Sequence, residues 1–300
     1  MTLFLTTFQG ELAALSAAFI WAIASLVYAS FGKQMPPLLL NFLKSSIAIL
    51  LILLTLGLRQ EMPSLEMKPL VLLFVSGSIG IGMGDTAFFT SINCIGARRS
   101  LLLEALAPPL TALLAAIFLQ EQLGIRACLG IALTIAGVTW VIIERMPDRD
   151  VSYQRPQRGI LFGVLAAFSQ ASGAVLSRAA FVETSVSPLY STLIRLGGGV
   201  AVLLLLLLLQ RQHWQCLAGL RSRRFLAAIT ATSFAGTYMA IWLQQTALKY
   251  TKAGIAQSLS ATSPLFILPV AWSMGEHLSF RAVLGVLIAL SGVWLLFNFS

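Results

Sequence analysis

Apolar residues run along this chain in stretches of about twenty or more, separated by polar or turn-rich breaks. About 20 apolar residues in a helix cross the hydrocarbon core of a bilayer. Ten stretches meet that length: 11–31, 37–58, 69–92, 99–119 and 125–144, then 159–181, 187–209, 224–248, 253–275 and 280–299. The break at 145–158 reads RMPDRDVSYQRPQR, charged and proline-containing, which is the composition of a linker. It divides the chain into 1–144 and 159–300, each with five predicted spans.

The two parts repeat each other. Residues 107–138, APPLTALLAAIFLQEQLGIRACLGIALTIAGV, align without a gap on 262–293, TSPLFILPVAWSMGEHLSFRAVLGVLIALSGV. At this offset of 155, Pro109 falls on Pro264, Glu121 on Glu276 and Arg126 on Arg281. Gly130 falls on Gly285 and Gly137 on Gly292. Earlier, AAF at 17–19 matches AAF at 166–168, and PLLLNFLK matches PLYSTLIR, setting Lys44 on Arg195. A charged pair, a proline pair and two glycine pairs in one register signal duplication. Five spans is an odd number, so the second copy crosses in the opposite sense to the first. The expected fold is an all-α membrane protein of ten transmembrane helices, built as two inverted five-helix repeats. In secondary transporters of that architecture, the solute site lies near the midplane between the repeats.

Composition agrees. Hydrophobic residues make up 58% and charged residues 10%, against roughly 25% charged in soluble chains. The net charge of +9 is no argument for nucleic acid, because most Lys and Arg lie between apolar runs, where membrane proteins place them. Cys94, Cys128 and Cys216 form no CxxC pair, and His213 and His277 belong to no metal-ligand spacing. No metal, cofactor or catalytic group is therefore expected. MTLFLTTFQGEL has no basic start or cleavage pattern, so the first run is read as a retained helix.

These features resemble the EamA-type transporters of the drug/metabolite transporter superfamily. The resemblance rests on Trp21 in the first span, Lys44 and Arg195 in the second span of each half, and Pro109 and Pro264 in the fourth. It continues through EQL at 121–123, EHL at 276–278 and the spaced glycines of the fifth spans. It implies a multi-pass protein of the cell membrane that moves small metabolites, often as an exporter, with its termini inside. The chain has Ala22 after Trp21 where the family commonly has Gly, and Lys44 where Arg is commoner. A membrane enzyme such as a lipid-group transferase is the alternative, and the short loops hold no His/Asp/Glu constellation for one. The partners expected are the bilayer and a small polar or amphipathic solute, amino acid-like or otherwise, with a monomer as the working state.

The ionisable residues placed within spans are Lys44, Asp85, Glu104 and Arg195. A charge at bilayer depth costs at least about 2.5–3.5 kcal/mol, so it faces a cavity or a partner. Snorkelling or a structural ion pair competes with a functional role. At 1.5 Å per residue, Lys44, Asp85 and Glu104 lie roughly 8–12 Å from the side bearing the 1–2 and 3–4 loops, and Arg195 lies toward the other side. Those three are read as one vestibule, with Lys44 a partner for Glu104 and Trp21 an apolar wall. Gln170, Tyr238, Trp242, Gln244 and Gln245 are further pocket candidates. At offset 155, Asp85 and Glu104 fall on Ala240 and Leu259, so neither carboxylate is duplicated.

The duplicated residues read as structural. Pro109 and Pro264 would kink the fourth span of each half, as gating element or static bend. Glu121 and Glu276 would accept bonds from the N–H groups opening the fifth spans. Gly130 and Gly285, like Gly80 and Gly84, would let helices approach closely. An even span count puts both termini on one side. With the termini inside, twelve loop cations would lie outside and six inside. The charge rule therefore prefers termini outside, against the resemblance.

Overall fold

The computed structural model describes residues 8–31, 35–59, 66–145, 156–182, 184–209, 223–266, 269 and 279–299. Among the described residues the chain is helical, with no strand. The helices are α1 (Gln9–Phe31), α2 (Pro37–Arg59), α3 (Met67–Gly77), α4 (Asp85–Glu104), α5 (Ala107–Phe118) and α6 (Ile125–Arg145). The second half continues with α7 (Pro156–Phe181), α8 (Pro188–Leu209), α9 (Arg223–Ser233), α10 (Ala240–Tyr250), α11 (Ala253–Ser260) and α12 (Phe280–Phe299). Eight described helices are long and apolar enough to cross a membrane. The first span, α1, and the ninth, which opens at α11, bring the architecture to ten. The outer surface is apolar: Leu54, Phe118 and Leu209 are each more than 60% exposed. In water such a continuous apolar belt would drive association; in lipid it is the matching solvent.

Both third spans contain a π-helical insert at their middle, Ser78–Gly84 between α3 and α4, and Phe234–Met239 between α9 and α10. The α-helix resumes at Asp85 and at Ala240, 155 residues apart. A π turn adds a residue to the i→i+4 ladder and rotates everything after it, and such turns are frequent at functional sites.

The fifth spans, α6 and α12, show the inversion directly. Gly130 lies against Gly292, and Gly137 against Gly285. As one number rises the other falls, so these sequence-equivalent helices run antiparallel. A Cβ on Gly137 would strike the Ala289 backbone and the Gly285 carbonyl; only glycine permits this approach. The other contacts cross between halves in matched fashion, third span on sixth and eighth on first. Ser76 donates to the Gly173 carbonyl at 2.6 Å and contacts Ser177 Oγ at 2.8 Å. On the opposite pairing, Tyr28 Oη contacts Thr237 Oγ1 at 2.9 Å and donates to the Thr232 carbonyl at 3.1 Å. The rings of Phe8 and Phe297 meet at 5.4 Å, so the outer ends of the first and tenth spans sit side by side on one face.

The spans end at Ile95 and restart at Arg99, within the expected break at 92–99, although the backbone there is helical. Ser91 Oγ nevertheless lies 2.8 Å from Ser100 Oγ, whereas nine residues of straight helix would span about 13.5 Å, so the chain doubles back within these turns. A further interruption, inside the fourth span, falls at Ala105–Leu106, after which Pro108 and Pro109 lie in the first turn of α5. A first-turn N–H has no intrahelical partner in any case, so proline is tolerated there. The prolines open a new helix rather than kink an old one. In the second half the interruption is at Ala261–Thr262, so by helix position Pro264 stands where Pro108 does.

Candidate functional site

The inserts in the third spans bring six elements to one small cavity of about 20 Å³. Its walls are Trp21, Lys44, Ser45, Ile81, Asp85, Gln170, Arg195, Gly236, Thr237, Ile241 and Gln244. Both halves contribute, and several residues are repeat equivalents. Gln170 stands 149 positions after Trp21, the same offset as the AAF motifs, and Gly236 stands 155 after Ile81. Such a volume holds about one water, so the walls must separate before a metabolite can enter.

Lys44 is 9% exposed. Its Nζ lies 3.4 Å from Asp85 Oδ2 and 5.5 Å above the Tyr28 ring. The neighbouring turn is held by Asn41, whose side-chain amide donates to the Ile81 carbonyl at 3.4 Å. Asp85 is placed by the π insert that ends one residue before it. The charged groups acting on Asp85 are Lys44 and Arg195. Glu104, at the end of α4, has Asp85 as its charged neighbour, and its Oε2 is buried without a hydrogen-bond partner.

Arg195 is 3% exposed. It reaches the cavity because α8 and α3 touch backbone to backbone. A Cβ on Gly77 would collide with the Arg195 carbonyl, and one on Gly198 with the Phe74 carbonyl. Farther along, the guanidinium lies over Gly80, where an added Cβ would be 3.1 Å from Nη2 and 3.5 Å from Gln170 Oε1.

This overturns two parts of the depth argument. The partner of Lys44 is Asp85, not Glu104. Arg195 joins the cluster instead of lying apart from it. Lys44 and Arg195 are each the eighth residue of an inverted helix, about 11 Å in from opposite sides. A core about 30 Å thick leaves only some 8 Å between them along the membrane normal, a gap long side chains bridge.

The remaining candidates divide. Trp21, Gln170 and Gln244 line the cavity. Tyr238 does not: it is buried in a cluster with Ala48, Ile52 and Leu196, stacks on Phe234 at 5.2 Å, and donates to Thr55 Oγ1 at 3.4 Å. Trp242 packs against that same cluster. Gln245 is fully buried, and its Oε1 accepts from Ser191 Oγ at 2.8 Å. Ser45, Ile81, Gly236, Thr237 and Ile241 were missed by sequence reasoning. Applying the 155 offset to the turn before Asp85 would have pointed to Gly236 and Thr237. Nothing in the sequence announced the π inserts. Among the described residues no His, Cys, Asp and Glu side chains gather as a metal-ligand set.

A second polar assembly lies at the face bearing the first-span N-terminus. Gln120, at φ 55°, turns the chain after α5. The next residue, Glu121, accepts from Arg178 Nε at 2.6 Å and from the Ala253 N–H at 2.9 Å. The N–H bonded by Glu121 therefore opens the ninth span, in the other half, and not the fifth as the spacing had suggested. Arg178 Nη1 also donates to the Leu248 and Lys249 carbonyls at 2.9 and 2.8 Å. Lys252 Nζ donates to the Gln122 carbonyl at 2.9 Å, and Thr251 to Glu11 at 2.9 Å. Glu276, the repeat partner of Glu121, lies outside the described residues.

The sequence profile of the EamA-like transporter family matches residues 8–143 and 157–298, once per half. The chain belongs to the EamA-like transporter family. Members of this family are membrane transporters, not enzymes, which fixes the general class of this multi-pass protein. A solved crystal structure superposes on the chain with a TM-score of 0.76, covering 96% of each chain at 18% identity; that likeness concerns the fold alone. Among proteins of curated function, none matches in sequence.

Proposed function

We propose that this EamA-family protein is a secondary transporter that moves a small polar or amphipathic metabolite, amino acid-like or otherwise, across the cell membrane by alternating access, working as an exporter. The observation that supports this most is the cavity itself. It lies at mid-span between inverted halves, draws equivalent positions from both, and carries polar groups that a lipid-facing or purely structural seam has no use for. Alternating access needs contacts that can break on one side while the other stays closed. The Glu121–Arg178 assembly is a candidate for one such closure, because it ties the 4–5 turn, the end of the sixth span and the 8–9 turn together. The working unit is the monomer, and the bilayer and the solute are its partners.

The experiment is solute flux in proteoliposomes containing the purified full chain, run against protein-free liposomes, with solutes chosen by a growth screen of a deletion strain on toxic metabolite analogues. Saturable, protein-dependent flux of at least one solute supports the proposal. Absence of flux for every solute that alters growth overturns it.

A further inference from the structure

The cavity holds two repeat-related cations but only one carboxylate. Lys44 and Arg195 occupy equivalent places, yet where the first half has Asp85, 155 positions on the second half has Ala240. Asp85 is committed through Oδ2 to Lys44 at 3.4 Å, and it is the carboxylate that bears on Arg195. Arg195 is 3% exposed, and its Nε and Nη1 have no hydrogen-bond partner. Ser45 Oγ, on the cavity wall, is also buried and unpartnered. An unsatisfied buried donor is costly, and a buried cation more so. Two unpartnered buried polar side chains on one cavity wall are groups waiting for a ligand.

We infer that Arg195, with Gln170 and Ser45 beside it, is a subsite for one anionic group of the transported solute, a carboxylate or its equivalent. This rests on the transport reading above and names the solute class. The guanidinium fork matches a carboxylate in two-point geometry. Gly80 leaves the space the guanidinium uses, since a Cβ there would press on Nη2. The solute supplies the counter-charge that the second repeat lacks at position 240. A cationic group on the solute finds no free partner in Asp85, which Lys44 already holds. The favoured head is therefore a single anion rather than an amine.

The test uses purified full chain in nanodiscs and three probes of nearly the same shape: propionate, propionamide and propionamidinium, at constant ionic strength. Thermal unfolding reads binding, because a ligand bound only to the folded state raises Tm. Propionate should raise Tm, and the other two should leave it unchanged. Arg195→Gln should weaken the propionate effect by about tenfold or more, as expected for loss of a charged two-point contact. Ala240→Asp should supply the missing carboxylate internally, raising Tm without a probe and abolishing the propionate shift. An equal shift from the amide or amidinium overturns the inference, as does no propionate shift at any soluble concentration in the unsubstituted protein, or a full shift retained in Arg195→Gln. Should either variant fail to fold, the three-probe comparison on the unsubstituted protein still decides. Flux in proteoliposomes is read separately. Propionate-specific stabilisation without flux of any solute leaves the subsite standing and removes the transport reading. Flux of neutral or cationic solutes with no propionate effect does the reverse.

Discussion

Replacing Asp85 by Asn should destabilise the protein more than replacing Lys44 by Met, and combining the two should cost less than the sum. Lys44 Nζ and Asp85 Oδ2 are 3.4 Å apart, and their side chains are 11% and 15% exposed. At an effective dielectric constant near 20, two unit charges at that distance attract by about 5 kcal/mol. Little water reaches them, so salt screens the pair weakly. Removing one partner of a buried pair costs about 3–5 kcal/mol, because the other charge is stranded. Asp85→Asn strands two cations, since Arg195 also bears on Asp85. Lys44→Met leaves the carboxylate with Arg195 and should cost only about half as much. In the double variant the stranded ammonium is gone, so a coupling of about 2–3 kcal/mol is expected. Reversible unfolding in mixed micelles measures all four species of the cycle. Additivity within about 0.5 kcal/mol would show that no such pair exists. Glu104→Gln serves as the control: Lys44→Met should not rescue it, whereas a Lys44–Glu104 pair would require that it did.

Terminal reporter fusions should place both ends of the chain on the same side, as the Phe8–Phe297 contact requires; opposite sides would sink the ten-span architecture. Gly137→Val drives a branched side chain into the Ala289 backbone and should cost more than about 3 kcal/mol or block folding, read as yield and Tm, while Gly57→Val, with open space around it, should be tolerated. Glu121→Gln weakens the bond to Arg178 and should lower Tm, with a loss of about 1.5–3 kcal/mol for a charged hydrogen bond; an unchanged Tm would show the assembly to be dispensable. Cysteines at 44, 85 and 104 should react with a water-soluble thiol reagent from one side only, and more slowly with solute present; inertness from both sides would make these residues internal ties.

Much of the fold was legible because lipid imposes a coarse rule. Every span must be apolar and about twenty residues long, so Pro188–Leu209 could be read off by eye. The duplication was legible because packing leaves paired marks: Gly130 and Gly137 recur as Gly285 and Gly292, and those four residues turn out to be the antiparallel seam itself. The failures share a cause. Lys44 was assigned to Glu104 because depth along a helix can be counted, whereas the direction a side chain faces depends on every turn before it. A π insert at 78–84 rotates Asp85 by an amount no hydropathy pattern records. The second interruption, at Ala105–Leu106, escaped for a similar reason: it is two residues long and carries neither glycine nor proline.

The matched scaffold also bears on why the candidate site lies where the match fails. A two-fold related framework built from identical halves would present the same groups twice, so its cavity would favour solutes with matching ends. Here Trp21 has Gln170 as its repeat counterpart, and both line the cavity, one wall aromatic and the other amide. Asp85 has Ala240 as its counterpart, and Ser45 has Leu196. Each mismatch makes one side of the cavity unlike the other, while the glycine seam and the π inserts, which set the backbone, remain paired. Under the transport proposal, a solute with two chemically different ends would bind in one orientation within this paired framework. On this argument, changes that restore symmetry, such as Ala240→Asp, should disturb recognition while leaving the ten-helix architecture intact.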